Sequence, residues 1–96
     1  MDHQDAPPSA GRSVEIRNQR GLHARAAAKF VKIAAQFDAE VEVRRNETAV
    51  SGRSIMGLMM LAAAPGTTIN LAATGPQAEA ALDALVALVE RKFDED

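Results

Sequence analysis

Ninety-six residues with 11 Lys and Arg against 13 Asp and Glu give a formal net charge of -2, which excludes a general electrostatic attraction to nucleic acid or anionic lipid. The chain has no Cys, so disulfides, Cys-ligated zinc and thiol catalysis are excluded, and without Trp or Tyr most stacking platforms for bases are missing. A chain this short suits one domain with little room for a deep cleft, and with Phe30, Phe37 and Phe93 as the only aromatics its core must be built from small and aliphatic side chains.

Met1 to Arg12 is polar, holds two prolines and lacks a hydrophobic pattern, so residues 1–12 are expected to be a disordered tail and residues 13–96 the folded domain. With neither a basic n-region nor an apolar h-region, this start does not read as a signal peptide. No stretch approaches the ~20 apolar residues that span a bilayer, so the expected location is the cytoplasm.

From Ser13, Val14 and Ile16 alternate with Glu15 and Arg17, the period of a half-buried strand, and Asn18 to Gly21 form a loop. Between Ala24 and Phe37 the period changes: Ala27, Phe30, Val31 and Ala34 share one face while Lys29 and Lys32 point away, predicting an amphipathic helix. Val41 and Val43, then Thr48 and Val50 beyond the turn Arg45-Asn46, predict a hairpin. Ser54 precedes a short apolar helix, Ile55 to Ala63, ended by Pro65-Gly66. Thr67 to Thr74 alternates again around Ile69 and Leu71. After Gly75-Pro76 a last helix is expected to carry Ala78, Leu82, Leu85, Val89 and Phe93 as one apolar stripe.

The order βαββαβα predicts an α+β fold, a four-stranded, mainly antiparallel sheet with three helices on one face. The other face would stay wet, because Glu15, Arg17, Glu40, Glu42 and Arg44 would be costly to bury.

The most informative residues are Gly21-Leu22-His23-Ala24-Arg25, where a loop enters the first helix. A helix start offers N–H groups without intrahelical partners and a partial positive charge, together an anion site. His23 stands at or beside the cap, where the backbone of Ala24 and Arg25 can hold a phosphate that its ring acquires. The Arg25 guanidinium matches phosphate oxygens in two-pronged fashion. A histidine at a helix start is more often a weak cap or core filler, so these residues by themselves leave both readings open. The other histidine, His3, falls in the expected tail, and no residue pattern suggests a metal site or a cofactor.

Gly21-Leu22-His23-Ala24-Arg25 with Ala27-Ala28-Lys29-Phe30-Val31 resembles the active-site signature of the HPr family, the phosphocarriers of the bacterial phosphoenolpyruvate-dependent phosphotransferase system. Gly52-Arg53-Ser54-Ile55-Met56-Gly57-Leu58-Met59 resembles that family's regulatory serine region at a fitting distance, and the resemblance covers Ser13 to Phe93. It implies an open-faced β-sandwich. It also implies phosphorylation of His23 by phospho-Enzyme I or its nitrogen-branch counterpart, with Arg25 steadying the phosphate, and delivery to a histidine of an EIIA-type acceptor, in sugar uptake or nitrogen-linked regulation. Ala26 departs from the pattern, which usually has proline there.

Ser is among the best N-caps, so Ser54 has a structural reading beside the regulatory one, which would need an HPr kinase/phosphorylase. The short helix holds more apolar residues than one face can bury, so Met56, Met59 and Met60 are expected as docking contacts, with Lys32 and Arg53 on their rim. The expected state is a monomer. One alternative is a regulatory HPr-like protein acting on partners through Ser54; another is a module that binds nucleic acid or a small ligand, which charge and composition disfavour. A lone histidine without base or pocket gives acceptor chemistry, not an autonomous enzyme.

Overall fold

The computed structural model describes residues 9–95. Its elements are β1 (Ser9–Glu15), α1 (Ala24–Ala34), β2 (Glu40–Arg45), β3 (Thr48–Ser51), α2 (Ile55–Met60), β4 (Thr68–Thr74) and α3 (Ala78–Glu90), followed by a short turn, Lys92–Asp94. The strands form one sheet in the order β1-β4-β2-β3, and every neighbouring pair is antiparallel.

Alternation puts Val14, Val41, Val43, Ile69, Leu71 and Ala73 on one sheet face, and all are buried. The inward sides of the helices meet them in a single core: Ala26, Ala27, Phe30 and Ala34 from α1, Leu58 from α2, and Ala78, Ala81, Leu82, Leu85, Leu88 and Val89 from α3. The buried alanines of α1 and α3 keep the inward sides of both helices small, which permits close packing without many aromatics. Glu15, Glu40, Glu42 and Arg44 are exposed, and Ser13 Oγ donates to Asn70 Oδ1 at 2.6 Å between the paired strands β1 and β4.

Four boundaries differ from the sequence expectation. The first strand begins at Ser9, because Ser9 to Arg12 pair with Thr74 to Leu71 and Arg12 reaches Glu79 at 2.6 Å and Asp83 at 3.2 Å on α3. Residues 9–12 therefore belong to the sheet rather than to a tail, since β4 supplies backbone partners that no hydrophobic pattern announces. The rest of the expected tail, residues 1–8 with His3, lies outside the described residues. The first helix stops at Ala34, and half-buried Phe37 packs on the core from the turn that follows. The short helix stops at Met60, where Ala62 takes a positive φ of 53° and Arg45 donates to the carbonyls of Leu61 and Ala62 at 2.9 and 3.4 Å.

The fourth difference concerns Phe93. It is fully buried as expected, but α3 ends at Glu90 and Phe93 is not on its stripe. Lys92, Phe93 and Asp94 have φ of 63°, 56° and 62°, a left-handed turn that folds Phe93 back into the core. Side chains rarely adopt this conformation, which costs about 1 kcal/mol or more per residue, so burial of the ring must hold it in place.

Candidate functional site

Asn18 opens the loop into α1 and is completely buried. Its Nδ2 donates to the Gly21 carbonyl at 2.8 Å, and the Gly21 N–H returns to the Asn18 carbonyl at 3.1 Å. Gly21 has a φ of 66°, and a Cβ there would collide with the Ala63 carbonyl. That carbonyl accepts from the Leu22 N–H at 3.0 Å, so the histidine loop is tied to the segment leaving α2. The glycine thus serves a close approach inside the molecule, against the segment that leaves α2.

His23 is the N-cap residue of α1, with extended backbone (φ -79°, ψ -178°), and its carbonyl accepts the first helical bond from Ala27 N–H at 2.8 Å. Its side chain makes no cap hydrogen bond. The first-turn N–H groups of Ala24, Arg25 and Ala26 therefore have neither an i−4 partner nor the imidazole. Ala26 is the third helical residue and wholly buried, so a proline ring in its place would lose no helical bond but would need room in a closed core.

The ring instead meets the far end of the chain. His23 Nε2 lies 2.5 Å from Glu95 Oε2, and Asn18 Nδ2 donates to Glu95 Oε1 at 3.0 Å. The side chains of His23 and Glu95 are only 16% and 18% exposed, so solvent screens the pair weakly. Burial pushes the Glu95 carboxyl up, but hydrogen bonds from Asn18 and His23, and the charges of His23 and Arg20, outweigh it and hold the group below its ordinary value. The stability this lowering contributes is complete above the ordinary carboxylate range and is lost as pH falls through the lowered value. The left-handed turn makes the approach possible, and Lys29 Nζ fastens it by donating to the Phe93 carbonyl at 2.8 Å. Asn18 Oδ1 is buried without a partner among the described residues.

Arg25 is exposed and lines an open depression with Gln19, Arg20, Lys29, Asp94 and Glu95. Arg20 also borders a smaller depression, lined by Leu22, His23 and Ala62 to Ala64. His23 is thus flanked by a charged hollow and by the exit of α2.

Ser54 is the N-cap of α2, and its Oγ accepts from the Gly57 N–H at 2.9 Å. On that helix Met56 is 70%, Met60 74%, Ile55 42% and Met59 41% exposed, while Leu58 is fully buried. Arg53 is exposed and reaches the carbonyls of Phe37 and Ala39 at 3.5 and 3.4 Å. Lys32 is exposed on the last turn of α1. Sequence reasoning missed Asn18 and Glu95 at the histidine. Asn18 carried a weak signal as an amide three residues before a glycine, whereas Glu95 carried none, being 72 residues from His23. Among the described residues no helix is long and apolar enough to cross a membrane, and no group of three or more His, Cys, Asp or Glu is placed to hold a metal.

Residues 10–91 match the family model described as the PTS HPr component phosphorylation site. The chain is similar to phosphocarrier protein HPr of Pseudomonas aeruginosa, with 52% identity over 83 residues covering 85% of this chain and 92% of that one. It is also similar to phosphocarrier protein NPr of Shewanella violacea, with 50% identity over 84 residues covering 88% and 92%. Among solved structures, the HPr of Thermoanaerobacter tengcongensis superposes with a TM-score of 0.87 at 41% identity, covering 91% of this chain and 98% of that one.

Proposed function

The chain belongs to the HPr family of phosphocarriers, and from that premise we propose that His23 accepts a phosphoryl group from phospho-Enzyme I or its nitrogen-branch counterpart and donates it to a histidine of an EIIA-type protein. The observation that carries this reading is the placement of His23: it caps α1 with its backbone while its ring leaves the first-turn N–H groups untouched. A phosphoryl group on the ring can take those donors, and the helix end favours its negative charge. In the transfer, a ring nitrogen attacks phosphorus as the bond to the donor's phosphohistidine breaks, and the released electron pair returns to the donor ring. The same exchange in reverse order serves the acceptor.

The test is incubation with phosphoenolpyruvate and the Enzyme I proteins of both branches, read by intact mass. We expect a gain of one phosphate that acid removes, as it does a phosphoramidate; an acid-stable adduct would contradict a phosphohistidine. Arg25 contributes a guanidinium on the charged side of His23. Arg25→Ala removes a charge-assisted contact of about 1.5–3 kcal/mol, so transfer should slow roughly ten- to a hundredfold while the fold stays intact. Unchanged kinetics would leave the phosphate to the backbone donors alone.

The Met56, Met59 and Met60 side chains supply an adaptable apolar surface for successive partners, with Arg53 and Lys32 at its edge. Ser54 begins the same helix, so phosphorylation there by an HPr kinase/phosphorylase would set about two negative charges beside that surface. Ser54→Ala is expected to lower stability by about 1 kcal/mol through loss of the bond to Gly57 N–H. Ser54→Asp keeps a capping oxygen and adds charge, so it should weaken association with Enzyme I more than the alanine does. Equal affinities in a titration would leave Ser54 with its capping role only.

A further inference from the structure

We infer that Arg20 is a second phosphate-binding arginine, which touches the phosphoryl group as it passes to and from His23. The inference rests on the proposed role of His23 and adds to it a residue that the preceding loop, rather than α1, supplies. Among the described residues Arg20 alone lines both the charged hollow that holds Arg25 and the smaller depression that holds His23. Its side chain therefore stands at their common border, beside the ring.

The backbone gives that side chain a fixed origin. Gln19 and Arg20 are the middle residues of a tight turn that the Gly21 N–H closes on the Asn18 carbonyl at 3.1 Å. Asn18, wholly buried, ties the same turn from beneath by donating to the Gly21 carbonyl at 2.8 Å, and the Ala63 carbonyl holds the Leu22 N–H at 3.0 Å. The chain is thus anchored on both sides of Arg20 while its side chain is exposed. A guanidinium on an anchored turn loses less freedom on binding an anion than one on a mobile loop.

Charge sorts the members of the hollow. Lys29 Nζ donates to the Phe93 carbonyl at 2.8 Å, Asp94 accepts from Arg91 at 2.8 Å, and Glu95 meets Asn18 and His23. Arg20 and Arg25 take no part in these bonds, so their guanidiniums are what the hollow offers an incoming anion. The charge of Arg20 also helps to keep the Glu95 carboxyl below its ordinary value, which shows its field reaching the ring. During transfer, the bond from a His23 ring nitrogen to phosphorus forms as the bond to the donor's phosphohistidine breaks, and the electron pair of that bond returns to the donor ring. Negative charge is then spread over the three peripheral oxygens of phosphorus. The first-turn N–H groups of α1 and Arg25 meet part of it, and Arg20 adds a two-pronged donor from the loop that stays protonated throughout.

Single-turnover transfer from phosphorylated Enzyme I to the full-length protein, quenched rapidly over a range of carrier concentrations, separates contact with the phosphoryl group from attraction of a partner. In Arg20→Gln the saturating rate should fall roughly ten-fold, with the half-saturating concentration changed less than about two-fold. Arg20→Lys keeps the charge and loses the fork, so its rate should lie between the glutamine variant and wild type. The phosphorus resonance of the phosphorylated protein gives a second reading: a guanidinium at the phosphoryl group favours the dianion, so the group should titrate at higher pH in Arg20→Gln than in wild type. A wild-type saturating rate in Arg20→Gln, or an unchanged phosphorus titration, would overturn the inference. So would a loss confined to the half-saturating concentration and abolished by salt, which would make Arg20 a docking cation instead. A wild type that accepts no phosphate would overturn the role of His23 and this inference with it, a result distinct from a labelled wild type that Arg20→Gln matches.

Discussion

Replacing His23 by alanine is expected to abolish phosphorylation from phospho-Enzyme I completely while leaving a folded protein. The ring is the nucleophile, and no other side chain at the site can replace it: Arg20, Arg25 and Lys29 line the charged hollow as cations, and Glu95 is an acceptor held by Asn18. The fold should survive because His23 is a rim residue, 16% exposed, whose backbone rather than side chain begins α1. Its loss frees Glu95 Oε2, which water can reach, so the stability cost stays within about 1 kcal/mol or so, a few degrees in melting temperature for a domain of this size. Intact mass after incubation with phosphoenolpyruvate and Enzyme I reads the result directly. Full labelling of the alanine variant would remove His23 from the mechanism.

Phe93→Ala is expected to have the largest effect on stability of any single truncation outside the helices and strands. The ring is fully buried in the core shared by α1, α3 and the sheet, and deleting a buried Phe costs about 3–5 kcal/mol, a large part of the ~5–15 kcal/mol that holds a domain together. The melting temperature should therefore fall by more than about 12 °C. There is a second consequence. The turn Lys92–Asp94 is kept in its left-handed form by that burial, so without the ring the backbone should relax and carry Glu95 away from His23. Thermal unfolding measures the first effect, and the ring-nitrogen signals of His23 at low temperature measure the second. A fall of less than about 4 °C would show that the core closes over the missing ring.

Much of the fold was legible because its strands and helices bury one face each, so their periods of two and 3.6 appear directly in the order of residues. Val41 and Val43 against Glu40, Glu42 and Arg44, or Ala27, Phe30 and Ala34 against Lys29 and Lys32, admit few other structures. The loop-to-helix junction at His23 and the cap at Ser54 were legible for a related reason, since the groups that satisfy a helix end lie within three residues of it. Boundaries were less so. Whether Ser9 to Arg12 join the sheet depends on β4, some sixty residues away, and whether Phe93 prolongs a helix or turns back depends on space in the core.

By itself, then, the sequence determined the α+β order, the two-sided character of the sheet, the position of the histidine at a helix start and the apolar excess on the short helix, all properties encoded over a few neighbouring residues. Only the tertiary structure decided what His23 touches. Its partner comes from the other end of the chain by way of a left-handed turn, and Asn18 completes the contact from beneath the loop. Neither residue type nor spacing announces such a contact, because local propensity opposes three successive positive φ values and long-range burial of Phe93 overrides it.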